Sequence, residues 1–383
     1  MNYLPVLLLA LLSIKLLTLT TFLGAKQFRV ALLYPKASAD DMRCALEATT
    51  KLLQKSGIAI ELNSYSYGAD LTGIKDSAEL IATEHYDAVI GPLLSHEALV
   101  TAPIFSKAKT TQFLPIASHP DLIKKFPNSV RMLSSASHYA TLAAKFVMSK
   151  SRNSGVVIVA NESLPYSTTY RDVFSQQLRE LGFLGKISVY NFMAGKFNSS
   201  TVNALISKSP GRIIYAPIYA QDLVYLYRGL GDIKTPNSTD RFTIFTHAGL
   251  FDAKKTLAKE FNPKIEVFFN GIWDLQSRGK NSHLFWQAIR SSCAVSEVKP
   301  WTIAAWDALE LARRTHTKHP TFSGEHLAEA ARRTSFTGDL GQWKLDKNLE
   351  PIRSLPVFRF ERSRLTLETI VRPTDNTTWS DAQ

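Results

Sequence analysis

From Phe28 onward the chain alternates between two hydrophobic periods. Phe28 to Tyr34 is a short apolar run of the kind expected for a strand buried on both faces. Asp40 to Ser56 then sets Met42, Ala45, Leu46, Leu52 and Leu53 in a helical stripe that closes at Gly57. Ala59 to Tyr67 carries Ile60, Leu62 and Tyr65 through a second strand, and Ile74 to Glu84 returns to helical spacing. Asp87 to Leu93 is another apolar run, stopped by Gly91-Pro92. Ser95, with Glu97 close behind, has the chemistry of a helix start, and Leu99, Val100, Ile104 and Phe105 follow at helical spacing. Phe113 to Ala117 is a fourth strand closing on Ser118-His119-Pro120-Asp121. Both of these last strands end in small polar residues, at the sheet edge where open α/β folds bind ligands.

The second half repeats the rhythm. Val130 to Ser134 is extended and Ser137 to Met148 is helical. Gly155 to Ala160 is a β-branched strand, followed by a turn at Pro165-Tyr166-Ser167 and a helix from Thr169 to Leu181. Strands at Lys186–Phe192, Gly211–Ile218 and Phe242–Thr246 alternate with helices at Ser200–Ser207 and Asp222–Gly229. Past Gly271 the rhythm changes to three helices, Ser282–Arg290, Pro300–Arg314 and Gly324–Arg333. Strands at Leu340–Asp346 and Pro356–Phe360 come next, and a polar tail after Arg372. Two βαβα series predict an α/β protein of two lobes with parallel sheets covered on both faces, with one (β/α)₈ barrel as the alternative.

Composition changes the picture little. A chain of 383 residues is long enough for two cores, and 45% hydrophobic against 20% charged residues excludes intrinsic disorder. The net charge of +12 is spread over isolated pairs such as Lys124/Lys125 and Arg332/Arg333, without a basic run interleaved with aromatics. It reads as a solvated basic surface, not a nucleic-acid interface. The N-terminus is more informative. Leu4 to Leu23 is strongly apolar and ends at Gly24-Ala25 before polar residues, so residues 1–25 read as a signal peptide cleaved after Ala25. Retention as a membrane anchor is the alternative. No cysteine near Ala25 offers a site for lipid attachment. The two cysteines, Cys44 and Cys293, lie far apart in helix-like contexts and are expected to be free, buried thiols. Sequons at Asn161, Asn198, Asn237 and Asn376 matter only where exported proteins are glycosylated.

The motifs that carry chemistry are missing. Neither G-x-G-x-x-G nor G-x-x-x-x-G-K-[ST] occurs, which argues against a nucleotide cofactor, and G-x-S-x-G is absent. Ser95 and His96 are chain neighbours and do not face each other as a dyad would. His316 and His319 have no third ligand nearby. No carboxylate pair stands out. No metal, no cofactor and no catalytic residue is expected.

The order and spacing of several short motifs resemble the type I periplasmic binding proteins, in particular the leucine/isoleucine/valine-type branch that serves ABC importers. These are Ala88-Val-Ile-Gly-Pro-Leu-Leu-Ser95, Ala102-Pro-Ile, Pro115-Ile-Ala-Ser118, Arg131 with Ser137, and Tyr166-Ser-Thr-Thr-Tyr170 with Phe174, Leu178 and Gly182. Ala305-Trp-Asp-Ala308 and Phe336-Thr-Gly-Asp-Leu-Gly-Gln-Trp343 complete the set. The resemblance implies two Rossmann-like lobes with parallel central sheets, joined by a three-crossing hinge and closing on a ligand. Residues 26–134 with 274–345 would form one lobe, and 135–273 with 346–372 the other; residues 373–383 are a tail. It also implies a small polar ligand, an amino acid or a relative of one, and an ABC permease or a membrane sensor as partner to a monomer in the periplasm. Sensing or envelope regulation on the same fold, and a secreted α/β enzyme, are the alternatives. Matching the family's ligand positions assigns a carboxylate to Ser95, Ala117 and Ser118, and aromatic contacts to Tyr166 and Tyr219. The family places an acid for the α-ammonium around His247–Asp252, but no Glu stands there. Asp252, or Asp222, is the substitute.

Overall fold

The computed structural model describes residues 27–372, apart from residues 38, 69, 151–154, 208–211, 234–240, 248, 272–282, 295–297 and 344. The segment read as a signal peptide, the tail and the sequons at Asn237 and Asn376 therefore lie outside the described residues.

The first lobe is built on five parallel strands: β1 (Phe28–Pro35), β2 (Ile60–Tyr67), β3 (Ala88–Ile90), β4 (Thr111–Leu114) and β5 (Ser129–Arg131). Their order in the sheet is β2-β1-β3-β4-β5. Leu32 lies opposite Ile90, and Ile90 opposite Phe113, so β3 and β4 end within one residue of each other while β1 runs on to Pro35. Side chains alternate between the two faces of a strand. Val30, Leu32 and Ile90 join one core with Met42 and Leu46 of α1 (Asp40–Lys55). Ala31, Leu33 and Val89 join a second with Ile74 and Ile81 of α2 (Leu71–Thr83) and Phe105 of α3 (Ser95–Lys107). A short helix, α4 (Asp121–Lys124), follows β4.

The second sheet has seven strands, β6 (Val156–Asn161), β7 (Ile187–Phe192), β8 (Ile213–Ala216), β9 (Phe242–Thr246), β10 (Ile265–Asn270), β13 (Leu355–Glu361) and β14 (Arg364–Val371). They lie in the order β14-β13-β10-β9-β8-β6-β7. The run from β10 to β7 is parallel, and the β13–β14 hairpin adds to it antiparallel. Its helices are α5 (Ala136–Lys150), α6 (Pro165–Glu180), α7 (Ser199–Ser207), α8 (Ala220–Gly231) and α9 (Gly249–Lys259). Three later helices, α10 (His283–Ser292), α11 (Pro300–Lys318) and α12 (Gly324–Arg333), return to the first lobe. There α10 packs on α1, α11 on β3 and β4, and α12 on β4 and β5. A two-stranded ribbon, β11 (Phe336–Gly338) with β12 (Gly341–Trp343), precedes the last passage to β13. Two separate open sheets replace the barrel alternative.

A buried polar network ties the passages after β5 and before β13 together. The Arg131 guanidinium, fully buried, pairs with Glu350 at 2.6 Å and donates to the His119 carbonyl. Arg353 donates to the carbonyls of Met132 at 3.1 Å and Leu340 at 2.6 Å. Asp307 of α11 accepts from the N–H groups of Asp339 and Leu340, both at 2.9 Å. Each buried ion thus has charged or backbone partners, without which its desolvation would be prohibitive.

Several elements depart from the sequence reading. Helix α6 starts at Pro165 and not Thr169, because proline at the first helical position loses no needed donor and has its φ already set. Helix α9, β10 and β14 were not separated from their surroundings. The cysteines are not free, buried thiols: Cys44 and Cys293 form a disulfide, with Cα atoms 5.9 Å apart, and both are only half-buried. The packing of α10 along α1 brings together two residues 249 positions apart, a proximity that neither local context reveals.

Candidate functional site

On the first lobe the site is made by two strand ends. After β3 the chain turns through Gly91, whose φ is +108° and where an added Cβ would stand 2.2 Å from the Leu33 carbonyl oxygen. Only glycine fits that approach. The turn delivers Ser95 as the first residue of α3. Its Oγ accepts the N–H groups of Ser118 at 3.1 Å and His119 at 3.2 Å, so its own proton is left to donate. The Ser118 N–H, expected to serve a ligand, is therefore taken up by Ser95. Beneath the same helix end Glu97 accepts from the Leu94 N–H at 2.9 Å and the Tyr67 hydroxyl at 2.7 Å, and burial raises its pKa.

On the second lobe the wall is aromatic. Tyr166 and Tyr170 come from the first turns of α6, Tyr219 caps α8, His247 follows β9 and Asn270 ends β10. Tyr166 stacks on Tyr219 with ring centroids 5.2 Å apart, and Tyr170 lies 4.0 Å from the His247 ring. The Tyr215 hydroxyl meets His247 Nε2 at 2.8 Å. Desolvation drives the His247 pKa down to about 3 against the opposing influence of Asn270, so the ring is neutral. His247 and Asn270 are side-chain partners, and neither His247 Nδ1 nor Asn270 Oδ1 has any other hydrogen-bond partner. The Tyr219 hydroxyl also has no partner, nor has the Nε1–H of Trp301, a residue of α11 only 6% exposed.

These groups enclose a cavity of about 370 Å³ between the lobes. Of the residues singled out from sequence, Ser95, Ser118, Tyr166, Tyr219 and Asp252 line it. Ala117 does not; its methyl packs with Ala98, Ala102, Leu114 and Leu122. Asp252 is exposed at the rim, 3.6 Å from Lys299 Nζ, where it links α9 of one lobe to the start of α11 of the other. Asp222 is half-buried, bonded to Asn161, and stands outside the lining. The sequence reading missed Tyr170, His247, Asn270 and Trp301. The first three lie where a helix or strand meets the cleft, and a resolved β10 would have pointed to Asn270. Trp301 carries no such signal. Among the described residues the lining contains no lysine or arginine, and no group of three His, Cys, Asp or Glu is placed to hold a metal ion. Such a lining can bind and orient a small molecule through hydroxyl and N–H groups and through aromatic faces.

Comparison with solved structures identifies the architecture. The leucine-binding protein LivK of Thermotoga maritima superposes with a TM-score of 0.76 at 19% identity, covering 91% of this chain and 99% of its own. The same fold recurs in LivJ of Streptococcus pneumoniae in complex with isoleucine, with a TM-score of 0.75 at 16% identity and coverage of 91% and 100%. This is the type I periplasmic binding protein fold. A third protein with it is an ABC-transporter solute-binding protein of Rhodopseudomonas palustris HaA2 in complex with p-hydroxybenzoic acid, at a TM-score of 0.73 and 15% identity, covering 91% and 96%. No protein-family model matches the chain, and no curated protein matches it by sequence. In periplasmic-binding-protein terms the cavity is the interlobe cleft. Among the described residues no helix is long and apolar enough to cross a membrane.

Proposed function

We propose that this chain is an extracytoplasmic solute-binding protein that captures a small carboxylate, an amino acid or a related compound, in the interlobe cleft for an ABC importer. The observation that carries the reading is the cavity itself. It lies between two lobes, with the Tyr219 hydroxyl and the Trp301 N–H buried and without protein partners. Unmet buried hydrogen-bonding groups are costly, and a ligand that satisfies them recovers that cost on binding. Ser95, at the N-terminal end of α3, supplies a hydroxyl proton where the helix dipole favours negative charge, which suits a carboxylate. The solved relatives support the same use of the cleft, since their ligands include isoleucine and p-hydroxybenzoic acid. Both walls come from one chain, so a monomer is sufficient. The Cys44–Cys293 disulfide and the apolar Leu4–Leu23 segment support export to an oxidising compartment.

A thermal-shift and calorimetric screen of small carboxylates tests the reading. A ligand present at a hundredfold excess over its Kd should stabilise the protein by about 2.7 kcal/mol. Combining Ser95→Ala with Tyr166→Ala should abolish that stabilisation while leaving a folded protein. Stabilisation retained in the double variant would place the site elsewhere.

A further inference from the structure

The charge pattern of the cleft narrows its ligand. Asp252 is the one acidic side chain among the described residues that line the cavity, and it stands exposed at the rim against Lys299. Two other carboxylates lie close by but outside the lining: Glu97, held by Tyr67 and Leu94, and Asp222, held by Asn161. An α-ammonium group carried into the cleft would find only Asp252, at the exposed rim and shared with Lys299, and no carboxylate deeper in the lining. An unpaired buried cation is among the costliest things a site can hold. Aromatic faces offer little relief. Tyr166 and Tyr219 are stacked on each other, Tyr170 faces His247, and Lys299 Nζ already lies 4.8 Å over the Trp301 ring.

What the second lobe offers instead is neutral. Tyr215 has its hydroxyl against His247 Nε2; if that phenol donates, as its buried O–H requires, His247 carries its proton on Nδ1. Nδ1 and the neighbouring carboxamide oxygen of Asn270 then face each other as donor and acceptor, both residues nine-tenths buried or more and neither atom with a further partner. Such a pair matches a hydroxyl or a carbonyl, each of which can use one or both groups without bringing a charge.

We infer that the cleft selects small organic acids whose second polar group is an uncharged hydroxyl or oxo group over the corresponding α-amino acids, and that His247 and Asn270 read that group. This rests on the solute-binding reading above and specifies its ligand.

Calorimetry of the purified chain with matched probes tests it: 2-hydroxy-4-methylpentanoate and 4-methyl-2-oxopentanoate against leucine, and phenyllactate and phenylpyruvate against phenylalanine. At least one hydroxy or oxo acid should bind more than about tenfold tighter than its matched amino acid, the margin expected when a buried cation goes unpaired. Asn270→Asp, which sets a carboxylate where the carboxamide stood, should narrow or invert that ratio. An amino acid that binds wild type as tightly as its hydroxy and oxo counterparts overturns the selectivity. A ratio unchanged in a folded Asn270→Asp variant overturns the role of Asn270, and the wild-type comparison stands by itself if that variant does not fold. Failure of every probe to bind at millimolar concentration overturns the small-acid reading of the cleft itself.

Discussion

Ser95 does two jobs with one oxygen. It accepts two backbone N–H groups from the turn after β4 and keeps its own proton to donate, so it holds the two strand ends together while lining the cavity. Replacing Ser95 with alanine should leave those N–H groups short of an acceptor and cost about 1–3 kcal/mol in chemical denaturation, beyond any loss of binding. His247 makes a different kind of prediction. Its pKa is depressed by burial from 6.5 to about 3, so it stabilises the fold fully above pH 6.5 and that contribution is lost as pH falls toward 3. Asp307 works in the opposite sense. Burial, outweighing its two backbone donors and Arg353, lifts its pKa from 3.8 to about 7, and its contribution grows as pH falls through that window. The difference between wild type and His247→Gln isolates the histidine. Stability curves from pH 7 to pH 4 should fall less steeply for the variant, and parallel curves would mean that the ring is not held neutral.

At the scale of elements, most of what builds the first wall was legible, because its signals are local. A serine followed by an acid marks a helix start, and Gly91-Pro92 marks a strand end, whatever lies around them. The structure adds why Gly91 is needed: with φ at +108° and the Leu33 carbonyl 2.2 Å from any Cβ, a side chain there would displace the turn that presents Ser95. Gly91→Ala should lower stability by about 1–3 kcal/mol and weaken ligand binding with it, as denaturation and calorimetry on the same preparation would show. Helix α9 and strand β14 lack such signals, whereas β10 carries a clear apolar run, Ile265-Glu-Val-Phe-Phe-Asn270, buried between β9 and β13. Helix α9 buries only Leu250, Ala253 and Leu257, and three lysines share its eleven residues. Strand β14 is an edge strand, half-exposed along most of its length, with an arginine, a glutamate and two threonines in its eight residues. An element that rests on one neighbour leaves a weak hydrophobic pattern.

On the scale of the whole molecule the lobes are held by different means. Within the first lobe, the Cys44–Cys293 disulfide closes a loop through most of the chain and fastens α10 to α1. Reduction should lower stability by about 2–4 kcal/mol in thermal or chemical unfolding, and a Cys44→Ser, Cys293→Ser double variant should show the same loss and be insensitive to reductant. Between the lobes the Asp252–Lys299 pair is exposed and worth little. The buried Arg131–Glu350 pair and the Arg353 contacts tie the crossing segments instead.

By itself the sequence determined the alternation of strands and helices, the two-lobed α/β class and the small polar residues Ser95 and Ser118 after two strands, because periodicity and capping depend on neighbours a few positions away. Tyr166 and Tyr219 were indicated only by resemblance to a family. Only the tertiary structure decided that Cys44 meets Cys293, that Ala117 turns into the core, that Asp252 faces Lys299, and that Trp301, His247 and Asn270 converge on one cavity. Each of these is a contact between residues distant in the chain, fixed by how helices settle on sheets, and no local pattern encodes the partner.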